Sequence, residues 1–117
     1  MDAAEATKTL VLRYFEAWQE PADFDELRRC LADHARFDVG HLVIEDGDAL
    51  PALIAQSGSP LHGVTLIKSL FLPDQAVLFY DGYEKSTGRK IRFAEFIEVE
   101  DGLIANVTAA IAPMRRR

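Results

Sequence analysis

The feature that most constrains the fold is a change of hydrophobic period near Gly63. Before it, apolar residues recur at helical spacing, and after it four long stretches alternate every second residue. The turn signals Pro73-Asp74, Ser86-Thr87-Gly88 and Asp101-Gly102 separate those four stretches. Because strands joined by such short turns pair antiparallel with their neighbours, the second half is predicted to be an antiparallel meander.

Two helices are predicted at the start of the chain. An apolar stripe marks the first helix, which ends at Glu20-Pro21. Asp23 and Glu26 form a capping box that opens the second helix, and Cys30 is expected on its inner side together with Leu31. The stripe of the first helix consists of Leu10, Val11, Tyr14, Phe15 and Trp18.

The remaining elements are two short strands, a third helix and the meander. Short strands are predicted over Arg36–Val39 and His41–Glu45. Asp46-Gly47-Asp48 is expected to cap the third helix, which closes at Ser57-Gly58. The long strands are predicted over Val64–Leu72, Gln75–Glu84, Arg89–Glu100 and Leu103–Ala112.

A two-residue turn at Pro73-Asp74 would pair Ile67 with Tyr80 and Ser69 with Leu78. Both faces of the resulting sheet would be largely apolar, unlike those of a sheet with one solvated side. The helices can cover only one face, so the other apolar face requires a different cover. A second copy of the chain is the simplest one. We therefore expect a homodimer through the outer sheet face. On that face Lys68 would pair with Phe79 and Leu66 with Asp81, and the face would also carry Leu70, Val77, Tyr83, Ala94, Phe96 and Ile104.

Composition limits the classes of function. At 117 residues the chain is expected to be a single domain, residues 1–117. Its net charge of −6 argues against nucleic acid as a partner, which would require a cationic face. With no apolar run of membrane-spanning length and no leader-like start, we expect a cytoplasmic protein with no membrane partner. His41 and Glu45 lack a third ligand, and no cofactor fingerprint is present, so neither a metal nor a cofactor is expected.

Glu95 is an acidic residue on a strand face that is otherwise apolar. Side chains on a strand alternate between faces, so this acid shares a face with four apolar residues. It could be a rim acid, paired with a cation or solvated, or a desolvated acid with a raised pKa that donates a proton or holds a developing oxyanion. A two-residue loop at Ser86–Gly88 would place Tyr80 directly opposite Glu95, and a three-residue loop would not. The apolar residues of this face are Ile91, Phe93, Ile97 and Val99.

Three segments resemble the NTF2-like superfamily: LRYFEAW in the first helix, LADHARFDVG, and AEFIEVEDGLI. The nearest branch resembles the SnoaL-like proteins, which include polyketide cyclases and lie near the ketosteroid isomerases. The resemblance implies an α+β fold, an NTF2-like cone or barrel. Its three N-terminal helices would pack on a strongly bent, mainly antiparallel sheet, in the order helix, helix, two strands, helix, four strands.

The resemblance also implies roles for individual residues. The isomerase oxyanion donor falls on Tyr14, and the protonated acid of the oxyanion hole falls on Glu95. The general base falls on Val39, with Asp38 next to it. Because Asp38 would point outward unless the strand bulges, Asp38 and His41 both remain candidates for the base. The substrate would lie in an apolar pocket formed with Trp18, Phe37, Tyr80, Phe93 and Val107.

Two functions follow as expectations. The first is a protein with an apolar pocket for a small hydrophobic molecule, acting as a cofactor-free enzyme of isomerase or cyclase type that transfers a proton next to a carbonyl. The alternative is a non-catalytic ligand-binding or dimerisation module. Epoxide hydrolysis, which this resemblance also covers, is disfavoured because Arg36 and Arg92 are both predicted to face outward.

Overall fold

The fold is described for residues 2–40 and 42–114 in a computed structural model. Two helices, two strands, a third helix and four long strands follow one another along the chain. The helices are α1 Ala3–Ala17, α2 Phe24–Arg29 and α3 Ala49–Ser57. The strands are β1 Leu31–Asp38, β2 Val43–Ile44, β3 Leu61–Phe71, β4 Gln75–Glu84, β5 Lys90–Glu100 and β6 Leu103–Pro113.

The strands form one mixed sheet in the order β2-β1-β6-β5-β4-β3. Strand β1 pairs with β6 in parallel, and the other neighbouring strands pair antiparallel. Since β2 and β3 remain at its two edges, the sheet is not closed into a barrel. Register shifts occur in the β1–β6, β3–β4 and β5–β6 pairings, and such irregularities bend a sheet. Helices α1 and α2 pack against one face of this sheet, which we call the inner face.

Helix α1 lies on the inner face and contacts β3, β4 and β6. Asp2 begins the helix by accepting a hydrogen bond from the Glu5 N–H at 2.8 Å. The Thr7 hydroxyl donates to the Pro73 carbonyl at 2.8 Å, which ties the helix to the β3–β4 turn. The predicted apolar stripe is confirmed, because all five of its residues are buried in the core.

Helix α2 ends earlier than its apolar spacing suggested. Asp23 caps it as predicted, accepting from the Glu26 N–H at 3.1 Å. The helix ends at Arg29. Leu31 is the first residue of β1, where it pairs with Ile104 of β6, so the prediction that Leu31 lies on the helix was wrong. Strand β1 was predicted to begin only at residue 36, because a register shift between Leu31 and Arg36 breaks the alternation that identifies a strand.

The β3–β4 hairpin contains a bulge that its turn does not reveal. Ser69 pairs with Leu78 as predicted, but Tyr80 pairs with Leu66 and not with Ile67. The bulge at Ile67 moves the rest of β3 by one residue, so Leu66 faces the core and Ile67 is exposed. Both sequence-based pairings beyond the bulge, Ile67 with Tyr80 and Leu66 with Asp81, are therefore wrong.

The β4–β5 hairpin has a longer loop than either length considered from the sequence. Glu84 and Arg89 form its last hydrogen-bonded pair, so the loop contains four residues. Tyr80 consequently pairs with Phe93, and Leu78 pairs with Glu95. Because a four-residue loop shifts the pairing by two from that of a two-residue loop, Tyr80 and Glu95 stay on the same face as diagonal neighbours.

The segment that leads into α3 is held against β1 by a close approach at Gly47. A Cβ atom there would lie 2.3 Å from the Ala32 carbonyl oxygen, so only glycine fits. Arg28 completes the attachment by pairing with both Asp33 and Asp48. Asp48 occupies the predicted N-cap position but makes no capping hydrogen bond, because its side chain binds Arg28.

The outer face of the sheet carries both charged and apolar side chains. Ile104 was expected on this face but is buried in the core, because the register shifts next to its pairing with Val99. At one end Arg92 donates two hydrogen bonds to Asp81, at 2.7 and 3.0 Å, and lies over the Phe79 ring. Toward the other end Leu70 and Phe96 are 57% and 53% exposed. The outer face therefore presents an uncovered apolar patch beside a charged one. In the described ranges, the helices are too short or too polar to cross a membrane.

Candidate functional site

A cavity of about 450 Å³ lies between the inner face of the sheet, α1 and α3. Its size falls within the range of small-molecule sites. The lining is mainly aliphatic and aromatic. It includes Tyr14, Trp18, Phe37, Val39, Leu42, Ile44, Leu50, Leu53, Ile54, Leu61, Tyr80, Glu84, Phe93, Glu95, Val107, Ala109 and Ile111.

The cavity has a buried end and an exposed end. Tyr14, Tyr80 and Glu95 on its wall are all buried. Leu53 and Ile111, also on the wall, are about 40% exposed. An apolar molecule entering between these exposed side chains would pass mainly aliphatic and aromatic side chains before it reached the buried hydroxyl and carboxyl groups. The buried end is thus where orientation would be decided.

Three side chains form the polar part of that end, and we call them the tyrosine–glutamate cluster: Tyr14, Tyr80 and Glu95. The Tyr14 hydroxyl, from α1, donates to Glu95 Oε1 at 2.8 Å. The Tyr80 hydroxyl, from β4, donates to Glu95 Oε2. Glu95 is only 5% exposed, and no described Lys or Arg lines the cavity around it. The carboxyl group is therefore held by two hydroxyls rather than by a cation.

Burial is the main cause of the shifted pKa values in the cluster. Burial raises the pKa of Glu95 because it disfavours the charged carboxylate, and the hydrogen bonds from Tyr80 and Tyr14 only partly oppose this effect. Burial likewise raises the pKa of Tyr80 and of Tyr14, and the nearby Glu95 charge raises both further. The two tyrosines consequently keep their protons throughout the physiological range.

Counting hydrogens shows what the cluster can do. Its three groups make two O···O contacts, and each contact requires one hydrogen. With Glu95 ionised, the two hydroxyl hydrogens serve these two contacts and none remains. With Glu95 neutral, a third hydrogen is present and can be donated to an acceptor in the cavity. Protonation of Glu95 thus converts the cluster from a pure acceptor into a hydrogen-bond donor.

Aromatic rings surround the cluster. Tyr80 and Phe93 are paired across β4 and β5, and their ring centroids lie 5.1 Å apart in a stacked arrangement. Trp18 packs at 6.0 Å from Tyr80, and Phe37 stacks on Tyr14 at 6.4 Å. The walls beside the cluster therefore suit a flat, apolar molecule.

Of the two candidate bases, Asp38 lies within the described residues. The Asp38 carboxylate accepts from the Gly40 N–H at 2.9 Å and lies 3.5 Å from the Arg36 guanidinium. It does not line the cavity, whereas its neighbours Phe37 and Val39 do. His41 lies outside the described residues. The outward orientation expected for Asp38 in the absence of a bulge is thus the one observed.

Seven of the predicted site residues line one cavity: Tyr14, Trp18, Phe37, Tyr80, Phe93, Glu95 and Val107. Sequence reasoning missed Glu84, a second carboxyl group on the lining, whose Oε1 accepts from the Thr87 hydroxyl at 2.6 Å. Its position on β4, an even number of residues from Tyr80, was the available signal. The α3 contribution through Leu50, Leu53 and Ile54 was also missed, because a helical apolar stripe does not tell which surface it covers.

No protein-family pattern and no curated protein sequence matches the chain. Solved structures do match in fold. A Kribbella flavida protein, provisionally described as a ketosteroid isomerase, is 19% identical with a TM-score of 0.83, over 100% of this chain and 85% of its own. An LEH-like epoxide hydrolase of M. tuberculosis is 16% identical with a TM-score of 0.82, over 96% and 82%.

An NTF2-like protein of unknown function from Cytophaga hutchinsonii also has a similar fold. It is 17% identical with a TM-score of 0.78, over 91% of this chain and 89% of its own. At such identities the likeness establishes fold and not activity. The chain therefore has the NTF2-like fold.

Proposed function

Starting from the NTF2-like fold, we propose that this protein binds a small, neutral, largely apolar carbonyl compound in the cavity and promotes proton transfer next to the carbonyl group. The reaction would be of isomerase or cyclase type and would need no cofactor. The observation that carries the proposal is the buried carboxyl group of Glu95, held by two tyrosine hydroxyls and facing no described cation. Placement in the SnoaL-like branch belongs to the same proposal.

The chemistry follows from the hydrogen count of the cluster. Removing a proton beside a carbonyl makes an enolate, whose oxygen gains negative charge. A neutral Glu95 leaves one hydrogen of the cluster free to meet that oxygen. Because the site is buried, this hydrogen bond is stronger than the same bond in water. The cluster would thus stabilise the transition state more than the ground state, as catalysis requires.

The proton must also be accepted by a base. We propose two candidates for this base, His41 and Glu84, of which Glu84 lines the cavity. His41→Ala and Glu84→Gln separate the two candidates. If one of them is the base, its substitution lowers proton transfer while ligand binding persists.

The second candidate function is a non-catalytic binding module. It is favoured by the position of Asp38, the candidate base next to Val39, because contacts with Gly40 and Arg36 hold its carboxylate outside the cavity. In that case Glu95 would orient a polar ligand atom and transfer no proton.

The two functions differ in one measurement, the exchange of protons next to a bound carbonyl. We expect the protein to accelerate exchange at the α-carbon of 1-tetralone in deuterated buffer, followed by proton NMR. Glu95→Gln should lower this acceleration by about tenfold, because an amide is a weaker donor than a neutral acid. Glu16→Gln, at an exposed position on α1 away from the outer sheet face, is the control. Binding of 1-tetralone with no exchange beyond the buffer rate would favour the binding module.

We also propose that the protein is a homodimer through the outer sheet face, since Leu70 and Phe96 leave an apolar patch there that water would otherwise cover. Phe96→Lys is expected to yield monomer or aggregate, because it places a charge in the interface. Phe24→Lys is the matched control, since Phe24 is an exposed aromatic residue on α2. The check is mass by light scattering. A dimer that persists in Phe96→Lys would contradict this interface.

A further inference from the structure

Three large aliphatic side chains lie at the exposed end of the cavity. Leu42 precedes β2, Leu53 lies on α3 and Ile111 lies on β6, and all three line the cavity. Each is between 39% and 44% exposed. Single exposed apolar residues are ordinary on a protein surface, but apolar residues that converge on one opening mark a binding surface. We call these three residues the apolar rim.

The apolar rim lies close to the tyrosine–glutamate cluster along the sheet. Ile111 pairs with Phe93, and Ala109 pairs with Glu95, so Ile111 is two strand positions away from the carboxyl group. Two residues of a strand span about 7 Å. A two-ring ketone is about as long as this span. With its carbonyl oxygen at the cluster, the far ring of such a molecule would therefore reach the apolar rim.

We propose that the apolar rim is a subsite for a hydrocarbon extension of the cavity's occupant, at the end of the molecule opposite its carbonyl group. The carbonyl group is the one assigned to the tyrosine–glutamate cluster, so this inference rests on the proposed function. The extension would cover the rim and remove its aliphatic surface from water, which stabilises the complex. The predicted occupant is an elongated ketone with a flat body and an aliphatic tail.

The charges of the cavity require this tail to be free of negative charge. Two carboxyl groups, Glu84 and Glu95, line the cavity, and the described lining contains no Lys or Arg. A tail that ends in a carboxylate would lose hydration against the aliphatic rim without meeting a cation. Replacing the terminal methyl group of the tail with a carboxylate should therefore weaken binding. The predicted ligand class is a neutral alkyl ketone, not a keto acid.

The probes are 1-tetralone and its 6-, 7- and 8-propyl derivatives. The 6- and 7-propyl groups lie on the far side of the second ring, whereas the 8-propyl group lies beside the carbonyl group. All three have the same composition, so their general hydrophobicity is matched. A half-buried methylene contributes about twofold in affinity, so we expect the 6- or the 7-propyl compound to bind about 5- to 10-fold more tightly than 1-tetralone. The 8-propyl compound should gain nothing.

A substitution on the rim gives the second readout. Leu53→Gln keeps a side chain of similar size but makes it polar, so the advantage of the propyl compound should fall to about twofold or less. Phe24→Gln is the matched control, because Phe24 is an equally exposed apolar residue on α2 outside the described cavity lining, and it should keep the advantage. In wild-type protein, an intermolecular NOE should join the terminal methyl group of the tail to the δ1 methyl group of Ile111.

Equal binding of the 6-, 7- and 8-propyl compounds to the wild-type protein would overturn the inference. An advantage that Leu53→Gln and Phe24→Gln retain alike would also overturn it. A third contradicting result is a decrease in mass by light scattering on Leu53→Gln, since the rim would then be a contact between copies of the chain. The ligand comparison needs no substitution and does not depend on the stability of a variant.

Failure of the proposed function has a different signature, which Glu95→Gln reveals. If this variant binds all four ketones as the wild type does, the cluster does not hold the carbonyl group, and the proposed function fails. If it weakens all four by the same factor while the wild type shows no advantage for the 6- or 7-propyl compound, the proposed function stands and the apolar rim is not a subsite.

Discussion

Trp18→Ala is expected to lower the free energy of unfolding by about 3–5 kcal/mol, as truncation of a large buried aromatic residue does. The indole packs against Phe15 and Tyr80, and its removal opens a space continuous with the cavity. Because its N–H has no partner, truncation also relieves the cost of one unpaired buried donor. We therefore expect the loss to lie near the lower end of that range.

Urea denaturation followed by circular dichroism measures this loss, since the variant has no tryptophan to report fluorescence. Glu16→Ala is the control on the same helix, where the side chain is exposed and alanine is a good helix former. We expect a change within about 0.5 kcal/mol for the control. A loss below about 1 kcal/mol for Trp18→Ala would mean that this end of α1 does not hold the core together.

Local patterns predicted the parts of the fold whose signals are local. The apolar stripe of α1 is a property of consecutive turns of one helix, and all of its residues are buried as the spacing required. The β4 strand was predicted with its observed bounds, Gln75–Glu84, because alternation continues without interruption between two turn signals. The Asp23 cap likewise depends only on residues three apart.

The parts that failed depend on pairings between distant residues. The bulge at Ile67 is an irregularity in the pairing of β3 with β4. No residue type in β3 indicates its position, so it could not be predicted from the sequence. The parallel pairing of β1 with β6 joins segments about seventy residues apart along the chain, which no local pattern can indicate. The four-residue loop before Arg89 was likewise not determined by its turn residues alone.

The same distinction applies to the candidate site. Glu95 was identified because an acid at an apolar strand position conflicts with its own neighbours, and that conflict is visible in the sequence. Tyr14 entered through the resemblance, and its 2.8 Å contact with Glu95 spans 81 residues of chain. The unpaired indole of Trp18 could not be predicted, because finding it requires the positions of every possible acceptor.

Glu95→Gln is expected to remove a pH dependence of stability that the wild-type protein has. Burial raises the folded-state pKa of Glu95 above its unfolded value, which is about 4.3 for a free glutamate. Below the unfolded pKa the carboxyl group is neutral in both states, and its contribution to stability is fully present. As pH rises, the unfolded state ionises first, so stability is lost until pH passes the folded pKa.

The measurement is the difference in unfolding free energy between Glu95→Gln and the wild type, by urea denaturation at a series of pH values. This difference should change in favour of the variant by up to about 1.4 kcal/mol per pH unit within the window between the two pKa values, and stay constant outside it. Glu16→Gln removes one exposed carboxylate from α1, away from the outer sheet face, and corrects for the change in net charge. NMR titration of the Glu95 carboxyl carbon locates the upper end of the window directly. A carboxyl group that titrates at or below the free value would be ionised in the folded protein, and the cluster would then have no hydrogen to donate to a ligand.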